Sequence, residues 1–416
     1  MIKDDPMHKK ELSRCVHRIA RAMTLCALIV SLQAGCSHQT HAKHKQQAQE
    51  RWSSVRAGVQ VQLARQQYRA GKIDEALATI QQALSYDPKC AEAYMIQARC
   101  QLESGLIRAA SRSAESAART LRNNAELAAI RGLIAERSGD PPTALGYYRD
   151  ARRLGDQDVD YLLAEAECLV AMGRPDEAST LLENERRAYG EHSSIHALMG
   201  EIALARGDEV AALNAFRSAM AGGVDDPVII EQYVVLSSQG GECTEALAAA
   251  ETLNDSRAEV AASDSLLRAV AQCYLKLNHL ESARQSVRTL IKRDPDDLDA
   301  WRLMARIAVQ GDDASIMHQS AANIDRLSPG DADATMIRAY SLISQGQLDR
   351  ASTLLRQSIR KNGGDMMAHC LLASVLERLD QPREAINHYQ EALALEPGSR
   401  WPREALARLV KTQGAS

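Results

Sequence analysis

Residues 72–88 read KIDEALATIQQALSYDP, and residues 383–397 read REAINHYQEALALEP. Both place a charged residue, Glu and Ala ahead of apolar residues at helical spacing, then Ala-Leu, an acid and proline. Working outward from the first copy uncovers a fixed period. Gly71, Gly105, Gly139, Gly173, Gly207 and Gly241 follow one another at intervals of 34 residues. Five residues after each stands an alanine, at Ala76, Ala110, Ala144, Ala178, Ala212 and Ala246. The register slips by three around LNDSRAEVAASD, residues 253–264, and resumes with Ala283, Ala351 and Ala385, Met317 taking the intervening slot. Small residues recur seven positions later, as at Ala83, Ala117, Ala151, Ala219 and Ala392, and prolines close several units at Pro88, Pro295, Pro329 and Pro397. A repeat of this length means stacked supersecondary units rather than one globular core.

Each unit makes sense as two antiparallel helices. Glycine adopts the left-handed backbone that ends the first helix, and Asn278, the next best residue for it, fills that slot in the seventh copy. Alanine at the contact positions lets the two helices approach closely, while Leu and Ile at i, i+3 and i+4 fill the rest of the face. Proline stops the second helix. One such pair cannot bury its apolar face alone, so neighbours must stack.

This 34-residue pattern resembles the tetratricopeptide repeat. The fifth copy carries Gly200, Gly207, Ala212, Phe216 and Ala219 at that family's motif positions. The resemblance implies an all-α fold: an α-solenoid of about ten helix pairs in a right-handed superhelix, first helices lining the inner face. Copies are placed from Ala57, Ala91, Ala125, Val159, Ser193, Pro227, Asp264, Leu298, Ala332 and Met366, the array filling 57–399, with a polar-faced capping helix over 400–416. Met317 at the alanine slot predicts a second helix seated differently in the eighth copy. The slip at 253–264 reads as a longer loop, or as a bend dividing six repeats from four.

The beginning of the chain reads separately. Lys9, Lys10, Arg14, Arg18 and Arg21 precede the uncharged run Ala22–Leu32 and then Gln33-Ala34-Gly35-Cys36, the order of an export signal. That run is too short for a bilayer, which takes about 20 residues. Ala-Gly-Cys resembles the lipobox of bacterial lipoproteins, although Gln33 stands where that box usually carries Leu. The resemblance implies a signal over 1–35 and lipid attachment at Cys36; ordinary cleavage or an uncleaved anchor are the alternatives. Ser37 behind the cysteine, in place of Asp, favours the outer membrane, facing the periplasm, over inner-membrane retention. Residues 36–56 form a polar connector whose His38, His41 and His44 read as solvated rather than as metal ligands.

Composition narrows the function. Formal charge is −4 with both signs interspersed and aromatics are 4%, which argues against nucleic-acid binding. No H-E-x-x-H, G-x-S-x-G, G-x-x-x-x-G-K or G-x-G-x-x-G occurs, so neither an enzyme nor a cofactor is expected. DPDDLDAW, residues 294–301, lacks the turn glycine and the terminal glutamate of a calcium loop, so no metal site is expected. Past Cys36 there are six cysteines, none in C-x-x-C spacing, and they read as buried, inert thiols.

Function is therefore expected in the groove, at the second, fifth, ninth and twelfth positions of each repeat by the family's pattern. In the third to sixth copies these include Glu126, Glu136, Asp160, Glu167, Glu201 and Glu231; in the seventh to ninth, Arg268, Arg302, Arg306 and Tyr340. An acidic stretch followed by a basic one would orient a bound partner; ordinary solvated helix charges are the other reading. Val61 and Arg65 stand where the family's carboxylate clamp wants other residues, so a chaperone-tail adaptor is not expected. The expected function is a lipid-anchored envelope scaffold that holds protein or peptide segments during assembly of a secretion, pilus or export machine. A glycan-handling subunit of polysaccharide export and an accessory regulator of an envelope hydrolase are the alternatives.

Overall fold

A computed structural model describes residues 43–155, 157–256 and 262–413. The signal segment and Cys36 lie outside the described residues, as does the middle of the slip at 253–264. The fold is all-α, an α-solenoid whose helices pack in successive pairs. The first, α1, covers 43–69. Then follow α2 (Ile73–Tyr86), α3 (Ala91–Glu103), α4 (Ile107–Ala118), α5 (Ala125–Arg137), α6 (Pro141–Leu154), α7 (Val159–Ala171) and α8 (Pro175–Glu185). Next come α9 (Ser193–Ala205), α10 (Glu209–Ala221), α11 (Pro227–Gly240), α12 (Cys243–Ser256), α13 (Asp264–Lys276) and α14 (Leu280–Arg293). The chain closes with α15 (Leu298–Gln310), α16 (Ala314–Leu327), α17 (Ala332–Ser344), α18 (Leu348–Lys361), α19 (Met366–Arg378), α20 (Pro382–Leu395) and α21 (Arg400–Gln413).

Two compact units divide between Gly190 and Glu191, after the fourth helix pair. In the first, α1 to α8 stack pair on pair; in the second, α9 to α20 do the same and α21 packs on α20. The division falls away from the register slip.

The turn inside each pair is set by one backbone conformation. Gly71, Gly105, Gly139, Gly173, Gly207, Gly241 and Gly346 all have φ between 72° and 84°, and Asn278, Asp312 and Asp380 take the same slot at 64°, 51° and 57°. Asparagine and aspartate are the side chains that visit this region most readily. Five residues on, Ala76, Ala110, Ala144, Ala178, Ala212, Ala283, Ala351 and Ala385 are wholly buried between the two helices. Met317 at that slot is buried too, and α16 starts sixteen residues after α15, the spacing of the other pairs, so its second helix keeps the common register. At two of the aromatic contacts between paired helices, glycine faces the ring: a Cβ on Gly200 would overlap the Phe216 ring, and one on Gly132 would meet Tyr148.

Asp and Asn hold many first-helix starts. Asn124, Asp158, Asp226, Asp297, Asp331 and Asp365 each accept a backbone N–H in the first turn, which satisfies one of the donors a helix start leaves open. Asp297 belongs to the acidic run of 294–301: its Oδ1 accepts the Ala300 N–H at 2.9 Å, and Trp301, buried, donates its ring N–H to the Pro295 carbonyl at 2.9 Å. Residues 43–56, read from sequence as a connector, are helical and run unbroken into the first repeat. Gln, Lys and Arg make up half of that stretch, which has no proline, and all three favour helix.

Candidate binding groove

The first helices of four successive repeats in the second unit, α11, α13, α15 and α17, line a groove of about 1100 Å³, with Cys243 at its margin. The 34-residue period puts equal repeat positions side by side. Arg268 and Arg302 occupy the fifth position of neighbouring repeats, Gln272, Arg306 and Tyr340 the ninth, and Leu275 and Val309 the twelfth. Leu303, Ala305, Met336 and Ile337 supply further apolar surface. Four cationic residues (Arg268, Lys276, Arg302, Arg306) face two carboxylates, Asp299 and Asp333, so the lining is net basic.

The cations differ in what already holds them. Arg268 donates through Nη2 to Asp297 at 2.9 Å, and Arg302 does the same to Asp331 at 2.8 Å, each bonding the residue that caps the next repeat's first helix. Burial pushes both carboxyls up. The guanidinium beside each and the backbone N–H groups they accept outweigh it and hold them below the usual range. These two arginines therefore staple repeat to repeat as well as lining the groove. Nη1 of Arg268 is buried without a hydrogen-bond partner. Arg306 is exposed and, among the described residues, has no ion pair or hydrogen bond. Among the described residues, Lys276 reaches only the Gly241 carbonyl, at 3.4 Å. Tyr340 is half-buried, and burial, with Cys370 nearby, pushes its phenol up, so it stays a neutral donor.

The structure thus gathers Arg268, Arg302, Arg306 and Tyr340 into one lining. The acidic residues lie elsewhere. Glu126, Glu136, Asp160 and Glu167 belong to the first unit, and Glu201 and Glu231, on α9 and α11, are not among the groove's lining. Glu126 pairs with Arg99 at 3.4 Å. Glu136 accepts the Tyr148 hydroxyl at 2.6 Å, a bond that ties α5 to α6. Asp160 and Glu167 are exposed on α7. Glu231 accepts the hydroxyls of Ser263 and Ser265, and the Glu201 carboxyl is raised by burial and by Asp226.

Sequence reasoning passed over Leu275, Val309 and Met336, whose helical spacing was already visible, and Cys243, which is buried in one core with Cys273. All six described cysteines are free thiols.

Comparison with known proteins agrees with the helix pairing. Two models described as tetratricopeptide repeat match residues 61–110 and residues 135–202 and 244–307. A model described as anaphase-promoting complex, cyclosome, subunit 3 matches residues 316–392. The chain is a tetratricopeptide-repeat protein. Solved structures similar to parts of it include PilF of Pseudomonas aeruginosa, at 16% identity over 50% of this chain and 95% of that one, with a TM-score of 0.43. PilW, a type IV pilus biogenesis factor, is 18% identical over 50% of this chain and 96% of its own, with a TM-score of 0.43. The Cut9–Hcn1 hetero-tetramer of the APC/C is 14% identical over 85% and 76%, at 0.39. A search of the curated proteins finds no match at a significant level.

Proposed function

We propose that this protein is a noncatalytic scaffold whose second unit grips an extended acidic segment of a partner protein. Tetratricopeptide repeats bind protein and peptide partners, and the observation that carries the finer reading is Arg306. It is an exposed cation without an ion-pair partner, flanked by Arg302 and Tyr340 over an apolar floor. A carboxylate of the partner would meet Arg306, its neighbouring apolar side chains would cover Leu303, Val309 and Met336, and Tyr340 would offer its phenol O–H. In the bacterial envelope, anchored at the outer membrane by a lipid on Cys36, such a scaffold would serve assembly of a secretion, pilus or export machine. The support for that placement is the signal-like segment and the Ala-Gly-Cys sequence.

Selection from a displayed peptide library tests the groove. Enriched peptides are expected to carry Asp or Glu beside apolar residues and to bind Arg306→Glu at least about tenfold more weakly. Peptides without acidic enrichment, or equal binding to the variant, reject it. Metabolic labelling with a fatty-acid probe tests the anchor: equal incorporation in wild type and Cys36→Ala rejects it.

A further inference from the structure

Helix α1 carries two apolar faces. Ala57, Val61 and Ala64 are wholly buried in the first repeat's core with Ile80 and Ile96. On the opposite side Trp52, Val55, Val59 and Leu63 are 65%, 59%, 63% and 44% exposed. At 100° per residue these four share one narrow stripe, roughly opposite the buried one. Lys45 and Arg56 flank the stripe on one side and Arg51 and Arg69 on the other, Arg56 also lying over the Tyr86 ring at 4.0 Å. Over residues 43–69, six Lys and Arg stand against Glu50 alone, a net of +5 in a chain whose net is −4. Glu50 falls on the side away from the stripe.

We infer that this face of α1 lies on an anionic lipid surface, with Trp52, Val55, Val59 and Leu63 at the level of the headgroups and the flanking bases against lipid phosphates. Three observations select that occupant. The stripe is apolar with basic margins, the pattern of a helix lying in a membrane interface. Two copies paired along it would set basic margin against basic margin, which opposes self-association. Cys36, the residue read as lipid-attached, stands seven positions before the first described residue of α1, so the same end of the chain would already be held at a bilayer. Trp52 stands in the stripe, and indole is the side chain that most favours the interface. No described helix is long and apolar enough to cross a membrane, and this one would lie on its surface. The inference rests on α1 and not on the groove.

The test uses the full chain with Cys36→Ala, so that no acyl chain contributes, and vesicles of phosphatidylcholine with or without phosphatidylglycerol. Acyl-brominated lipids report contact by quenching tryptophan, and Trp52→Phe separates Trp52 from Trp301 and Trp401. Trp52 is expected to be quenched on anionic vesicles and far less on neutral ones. Each basic residue near an anionic surface contributes about a fivefold gain in binding. Val55→Glu with Val59→Glu, both at exposed sites, is expected to weaken binding at least about tenfold with the circular dichroism unchanged. An unquenched Trp52, or binding equal in the double variant, overturns the inference. So does a dimer that the double variant dissociates and in which Trp52 is shielded without lipid, which would assign the face to protein. Quenching in the Cys36→Ala chain is independent of whether the wild type is acylated.

Discussion

Replacing Gly132 by alanine puts a methyl group 2.5 Å from Cε1 and 2.7 Å from Cδ1 of Tyr148, inside any ordinary contact. The ring has little room to retreat. Tyr148 is 2% exposed, and its hydroxyl is tied to Glu136 at 2.6 Å. Overfilling a packed interior costs about 1–3 kcal/mol, while glycine to alanine within a helix returns about 1 kcal/mol. The net expectation is a loss of about 1 kcal/mol in the pairing of α5 with α6. The tenth repeat bounds it: Ala373 stands at the position equivalent to Gly132, in the same core as Tyr389, which keeps its own bond to Glu377 at 2.7 Å. The same type of helix pair thus occurs with a methyl at that position. Hydrogen exchange at the α5 and α6 amides is the suitable assay, since long arrays unfold in stages. In a Tyr148→Leu background the same change should instead stabilise by about 1 kcal/mol, a coupling of about 2 kcal/mol. Stabilisation of equal size in both backgrounds would refute the argument that the ring excludes a Cβ.

Asp297→Ala removes a helix cap worth about 1 kcal/mol and strips Arg268 of its carboxylate, for a combined loss of about 2–3 kcal/mol at pH 7; Asp297→Asn should lose less than half of that in the same exchange measurement on α15. Because the folded chain holds this carboxyl below its unfolded value of about 3.9, its contribution is full above that value and disappears as pH falls through the folded one. The Nδ1 atoms of His369 and His388 lie 3.2 Å apart, and burial, with His369 and Arg356 adding to it against weaker opposition from Glu384 and Glu391, pushes His388 down. The unfolded chain protonates His388 near pH 6.5 and the folded chain only lower, so the unfolded state binds more protons between those values and stability decreases as pH is lowered through them. Exchange in α19 and α20 at pH 7.5 and pH 5 should show that fall, and His388→Gln should flatten it. Burial pushes Cys100 and Cys370 up to about 11 and Cys273 up to about 12, so at pH 8 these thiols should resist N-ethylmaleimide until the chain unfolds; mass spectrometry showing prompt labelling would contradict their burial.

The period was legible because each unit solves the same local problem. A left-handed residue must end the first helix and a small one must sit where two helices cross, so Gly71 and Ala76 announce the fold by kind and spacing alone. Asp312 and Asp380, with positive φ, fill the turn slot without being glycine and so were not counted there. Much of the groove was only half legible. Helical periodicity says which residues share a face, which is how Arg268, Arg302, Arg306 and Tyr340 were chosen, but it does not say which neighbour consumes their charge. Arg268 and Arg302 find Asp297 and Asp331 twenty-nine residues on, a recurrence that was present in the sequence. Glu136, chosen for the same groove, is taken by Tyr148 on its own partner helix. Glu165 looks like another helix charge, yet it is 3% exposed and held between Arg149 and Arg152 at 3.1 and 2.6 Å.

The sequence by itself determined that this chain is a series of helix pairs, because turn conformation and helix contact are properties of neighbouring residues. Tertiary structure alone decided which charges are left for a partner and which apolar stripe is left uncovered. Burial and ion pairing depend on what the next helix brings, and among the described residues no helix packs over the exposed face of α1.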